Sequence, residues 1–252
     1  MDQRSFILQN IPYYNQGDHD GLCVYYSAAM QLVTLFPELH VEFGEGTRRR
    51  KVGFVTTDPL IAGLAARRKE SPEKTLADWH WRGHSLREIL PVLNRIAVER
   101  SGRKEYRKLF QYFGRGTQWD ANENRIRASV EAGLPVTLAW RTRDLGSHCV
   151  LVYGFTNGAK GGTWFHTRDP GGGKDVFWET LEKVSEGSPE LILPEGSVWQ
   201  DMRPDALSYY TKPAGKIVDR RLFRWWPETG PDRTLGWRDM RSVFEEARKR
   251  EE

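Results

Sequence analysis

The chain is poor in cysteine and has no long apolar run. Only two cysteines, Cys23 and Cys149, stand among 252 residues. That excludes a disulfide scaffold and fits a reducing compartment. The longest apolar run near the start, Phe6 to Leu8, is far too short for a signal-peptide core. No other segment approaches the length of a membrane span. The expectation is therefore a cytoplasmic protein, or one exported by a route without a cleaved signal peptide, and no membrane partner. Charge of one sign is also lacking: 38 basic residues face 34 acidic ones. The basic clusters at 48–51, 67–69, 103–108 and 220–224 are each broken or flanked by acidic or apolar residues. They read as solvated faces, so nucleic acid is not the expected partner.

What is present suits a globular domain. Apolar residues make up 38% of the chain, enough for a sizeable core. Val24 to Phe36 reads as a buried helix stopped by Pro37. Asp58 and Pro59 form a cap and first turn for the helix "PLIAGLAARRK". Ser85 and Glu88 match a capping box, and Leu86, Ile89, Leu90, Leu93 and Ile96 follow at helical spacing. Asp120 and Glu123 suggest a further cap, for a helix ending near Gly133. Beyond Gly133, "LPVTLAW", "HCVLVYGF" and "GTWFHTRD" read as consecutive strands. "GGGKDVFWETLEKV" reads as a loop, a short strand and a short helix, and Ser197 to Gln200 as one more strand. Helices first and strands afterwards predict an α+β fold, with an N-terminal helical layer on a mainly antiparallel sheet. Residues 201–252 differ in composition and form an aromatic and basic C-terminal extension with a terminal helix.

Cys23 raises the functional question. It follows the loop "NQGDHDGL" and opens the first helix. A free cysteine is most often a small buried hydrophobe. A thiol in the first turn of a helix also sits at the positive end of the macrodipole, which favours the reactive thiolate. His148 opens a central strand, and Asp169 ends the next one just before a Pro-Gly turn. Adjacent antiparallel strands can bring these two side chains together. Cys23 as nucleophile, His148 as base and Asp169 as orienting carboxylate then complete a catalytic unit. Gln16, seven positions before Cys23, is placed to donate a hydrogen bond to a developing oxyanion.

Other residues carry weaker signals. His19 reads as a solvated loop residue and His166 as a satisfied sheet residue. A His19–Cys23–His148 metal site lacks the short paired spacing of zinc motifs, so no metal is expected. The glycines at 171–173 lack the Lys-Ser/Thr and the strand–helix setting of a phosphate loop, so no cofactor is implied. Cys149 neighbours His148 on a strand and is expected to face the other way as a structural residue. "RRLFRWW" interleaves basic and aromatic residues as single-strand binders do, and reads more simply as packed aromatics with snorkelling arginines.

The order Gln, Cys with a small-residue helix, "HCVLVYGF", then "RDPGGG" resembles the papain-like cysteine peptidases. It is closest to the branch of double-glycine leader peptidases and their stand-alone relatives. "IPYYNQ" resembles the short strand and glutamine that open such domains. The resemblance runs in patches from Ile11 to about Lys183. It departs at Val24, where relatives often carry glycine, and in a Gln-to-Cys loop about one residue longer than usual. It implies a papain-like domain over 1–200, with 40–84 as an insertion. It implies thiol-dependent hydrolysis of a peptide or isopeptide bond in a protein or peptide substrate. Cys23 would be the nucleophile, His148 the base, Asp169 the orienter and Gln16 the oxyanion donor. Acyl transfer through the same thioester, and a catalytically silent binding module, remain as alternatives.

Overall fold

The structure is a computed structural model. It describes residues 5–9, 11–14, 22–37, 39, 59–72, 74–75, 78, 85–114, 116–142, 146–158, 162–171 and 175–195. Gln16, His19, Asp58, the strand expected at Ser197–Gln200, most of 40–84 and the whole of 201–252 lie outside the described residues.

The fold is mixed α+β. Strands β1 (Ser5–Ile7), β2 (Phe110–Phe113), β3 (Val136–Thr142), β4 (Gly146–Asn157), β5 (Thr163–Arg168), β6 (Val176–Phe177) and β7 (Glu190–Pro194) form one sheet. Its order is β2-β7-β3-β4-β5-β6, and β1 pairs with the far end of β4. Every pairing between these strands is antiparallel. The helices are α1 (Cys23–Leu35), α2 (Pro59–Arg68), α3 (Leu86–Ser101), α4 (Trp119–Glu131) and α5 (Trp178–Val184).

All thirteen residues of α1 are buried. A helix apolar all round belongs in a core, and this one is packed between the sheet and α3. Its one long polar side chain is fully used. Gln31 donates to Pro135 O at 2.9 Å and Ile192 O at 3.0 Å, and accepts from the Thr137 hydroxyl at 2.9 Å. These bonds tie α1 to β7 and β3 and so fix the height of Cys23, two turns upstream. α2 packs on α3. The approach is close enough that a Cβ on Gly63 would meet Val92 at 2.5 Å.

The opposite face of the sheet carries α4 and α5. Arg127 of α4 lies over the Phe155 ring at 4.6 Å, and Trp178 of α5 packs edge-on against Phe165 at 5.3 Å. Phe155 and Phe165 are direct partners across β4 and β5. The sheet therefore has helices on both faces, one layer more than the sequence suggested. The reason is that α4 and α5 interrupt the strand run and must bury their own apolar stripes.

Two expected caps do not form. α3 begins at Leu86 as expected, and Ser85 makes no side-chain cap bond. Glu88 instead points toward Arg68 of α2, 3.8 Å away. The N-cap position of α4 is Gln118, two residues before the expected Asp120, and it too makes no side-chain cap bond. Glu123 is drawn off to the Thr163 hydroxyl and to Arg127. The strand that opens the fold is Ser5–Ile7, not Ile11 to Gln16, since 11–14 is not strand. β2 and β7 were not anticipated. Among the described residues, no helix is long and apolar enough to cross a membrane.

Candidate active site

Cys23 is the first residue of α1, one position before the expected start at Val24, and Leu22 is the N-cap. The first turn holds no acidic side chain. Backbone N–H groups of a first turn have no acceptor within the helix, so this end is electropositive. The residue is 7% exposed. It lies close enough to His148 to help raise the imidazole's pKa.

His148 stands near the start of β4, paired with Trp140 of β3. The Trp140 and His148 rings meet edge-to-face, 5.2 Å apart at 83°. Beyond β5, Asp169 brings its Oδ2 to 2.9 Å from His148 Nε2. Its Oδ1 accepts the Gly171 N–H at 2.7 Å, which fixes the carboxylate in the turn after β5. Asp169 holds Nε2, so Nδ1 is the nitrogen left to face the sulfur. The side chains of His148 and Asp169 are 33% and 10% exposed, so the pair is shielded yet reachable.

Burial works against charge on His148. It is outweighed by Asp169, which accepts a hydrogen bond from the ring, by the nearby Cys23 and by the charges of both, and the imidazole is pushed up to about 9. The geometry therefore favours an imidazolium between a carboxylate and a sulfur. Tyr13, 37% exposed, borders the same corner. Burial, and then the charge of Asp169, raise its hydroxyl above the ordinary tyrosine value, while Arg168 acts in the opposite sense.

Cys149 is wholly buried. It alternates with His148 along β4, and its sulfur faces Ser27, one turn along α1 from Cys23. Burial above all, then the nearby Cys23, push its thiol well above the usual value. Both cysteines are free.

The structure thus brings together three of the four residues singled out in the sequence: Cys23, His148 and Asp169. The fourth, Gln16, lies outside the described residues, as does His19 of the considered metal set. His166 is a satisfied sheet residue: it bonds the Thr156 hydroxyl at 2.8 Å and Asp175 at 2.7 Å. Trp140 and Gln31 were missed as supports of the site. A glutamine inside an otherwise apolar helix run was the available signal for Gln31. Among the described residues, no group of three or more His, Cys, Asp and Glu side chains gathers as metal ligands. The sequence matches no family model and no curated protein.

Proposed function

We propose that the chain is a papain-like cysteine hydrolase that cleaves a peptide or isopeptide bond through an acyl-enzyme. The observation that carries this reading is the His148–Asp169 pair, 2.9 Å apart, with Cys23 near enough to raise the imidazole's pKa. It supplies a nucleophile, a base in reach of it, and a group that orients the base. α1 on an antiparallel sheet, with the thiol at its N-terminus, supports the papain-like assignment.

In this mechanism His148 draws the proton from Cys23 and the thiolate attacks the substrate carbonyl carbon. The C–S bond forms, and negative charge develops on the carbonyl oxygen. The Cys23 backbone N–H and the Gln16 amide are the proposed donors to that oxygen. His148 then delivers its proton to the leaving nitrogen as the C–N bond breaks. Water, deprotonated by His148, attacks the thioester. The C–S bond breaks, the acid is released and the thiol is restored. Asp169 stabilises the imidazolium at each stage and keeps Nδ1 toward the sulfur.

The test is a peptide library incubated with wild type and with Cys23→Ala, read by mass spectrometry. New termini should appear with wild type and be absent with Cys23→Ala. Equal cleavage by both proteins would reject the proposal.

A further inference from the structure

A second series of hydroxyl, imidazole and carboxylate lies at the other end of β4. Ser5, Thr156, Trp164 and Phe177 are direct partners across β1, β4, β5 and β6, and in the next row Ile7, Gly154 and His166 are partners. Residues opposite one another across a sheet, or two apart along a strand, share a face. Thr156 and His166 are therefore diagonal neighbours on one face. His166 Nε2 lies 2.8 Å from the Thr156 hydroxyl, and Nδ1 lies 2.7 Å from Asp175 Oδ2. Asp175 Oδ1 accepts the Thr167 N–H at 2.9 Å, so both carboxylate oxygens are held. The ring lies against Gly154, where a Cβ would stand 3.2 Å from His166 Cδ2 and 2.8 Å from Phe6 O. A residue without a side chain lets the imidazole settle there.

The acceptors set the direction of the protons. A carboxylate only accepts, so Nδ1 carries hydrogen and donates to Asp175. Nε2 of the neutral ring is then an acceptor, and the Thr156 hydroxyl donates to it. That uses the one hydrogen of Thr156, so Ser5 donates the 3.0 Å bond between the two hydroxyls. Every proton points toward Asp175. This is the alignment of a hydroxyl nucleophile with a general base and an orienting carboxylate. The side chains of His166 and Asp175 are 20% and 39% exposed, so the series is reachable. Trp164, opposite Thr156, is also exposed, and its ring tilts against Phe177 at 4.7 Å to form an apolar floor. Thr156 and His148 stand toward opposite ends of β4, roughly 25 Å apart at about 3.3 Å per residue. The two centres are thus separate.

We propose that Thr156 and His166 are the catalytic pair of a second centre, positioned by Asp175, that hydrolyses a carboxylic ester whose apolar acyl group rests on Trp164. Thr156 Oγ1 attacks the ester carbonyl carbon as its proton passes to His166 Nε2. The ester C–O bond then breaks, and the leaving alcohol takes the proton from His166. Water, deprotonated by His166, attacks the acyl group on Thr156. The bond to Oγ1 breaks, the acid is released and the hydroxyl regains its proton. The Ser5 hydroxyl is the donor at hand for the carbonyl oxygen. None of this rests on Cys23.

The test uses the full chain as Cys23→Ala, in which the first centre contributes no reaction. The probe is an alkyl fluorophosphonate. Thr156 Oγ1 attacks phosphorus, the P–O bond forms, the P–F bond breaks and fluoride leaves, while His166 takes the proton. Peptide mass maps the adduct and times its formation. The adduct is expected on Thr156, and His166→Ala should slow it by about a hundredfold or more, with His166→Gln agreeing. Asp175→Asn should slow it, and Asp175→Glu should recover part of the rate. Thr156→Val, which keeps the shape of the side chain, should lose both the adduct and hydrolysis of 4-nitrophenyl butyrate. Trp164→Ala should cost the butyrate more than the acetate, and an equal loss on both overturns the acyl assignment. No adduct, an adduct on Ser5 in place of Thr156, or an equal rate in the two His166 variants overturns the second centre. Peptide cleavage by wild type is read separately, so failure of the first centre leaves this result standing.

Discussion

His148 Nε2 and Asp169 Oδ2 lie 2.9 Å apart, joining the near end of β4 to the turn that follows β5. Antiparallel neighbours place these ends side by side, and the Asp169–Gly171 turn bond holds the carboxylate still. The pairing fixes which imidazole nitrogen faces Cys23. Asp169→Asn retains a hydrogen-bonding side chain and loses the charge. It should slow alkylation of Cys23 less than His148→Ala does, because it weakens the imidazolium without removing the base. Alkylation rates of the two variants, measured side by side, check this order. Equal rates in Asp169→Asn and wild type would remove Asp169 from the site.

The second prediction concerns pH. His148 is raised from 6.5 to about 9 in the folded chain. A group with a raised pKa contributes stability that is fully present below its unfolded value and lost as pH rises through the folded value. The stability advantage of wild type over His148→Gln should therefore be greatest below pH 6.5 and decline toward pH 9. Urea unfolding of both proteins across that window gives the difference directly. A difference independent of pH would mean that His148 is not held as an imidazolium.

Gln31 is the third test. Gln31→Ala strips partners from Thr137, Pro135 and Ile192 deep under the site. Leaving buried polar groups unsatisfied costs roughly 1–3 kcal/mol each, so the variant should lose on the order of 3 kcal/mol and melt well below wild type. Gln31→Glu would add an unpaired charge and should fare no better. A melting temperature unchanged in Gln31→Ala would show that α1 is positioned by apolar packing alone.

Cys149 provides the contrast with Cys23. It is sealed beneath α1 and is needed only to fill space. Cys149→Ala should cost about 1 kcal/mol of stability and leave peptide cleavage intact. Cleavage lost in a folded Cys149→Ala would bring the second thiol into the mechanism.

Much of this arrangement was legible because its parts lie on strongly patterned segments. "HCVLVYGF" is a short apolar run and "GTWFHTRD" a second short run after a glycine break, so the ends carrying His148 and Asp169 could be set side by side from sequence. Cys23 was legible because a glycine-rich loop gives way abruptly to an apolar helix. The capping motifs misled: Glu88 and Glu123 satisfy those local patterns, and long-range partners, Arg68 for one and Thr163 with Arg127 for the other, claim them first. β7 was missed because "ELILP" is a short apolar run between prolines, which periodicity cannot assign. Its identity depends on pairing with β2 and β3, from distant parts of the chain.

The most direct measurement of the central claim, that His148 activates Cys23, is timed alkylation with limiting iodoacetamide followed by peptide mapping. Wild type and His148→Ala are compared at mildly acidic pH. In wild type, Cys23 should be modified well before buried Cys149, and His148→Ala should slow modification of Cys23 by about tenfold or more. Faster labelling of Cys149, or an equal Cys23 rate in both proteins, would contradict the claim and leave Cys23 as a packing residue at the start of α1.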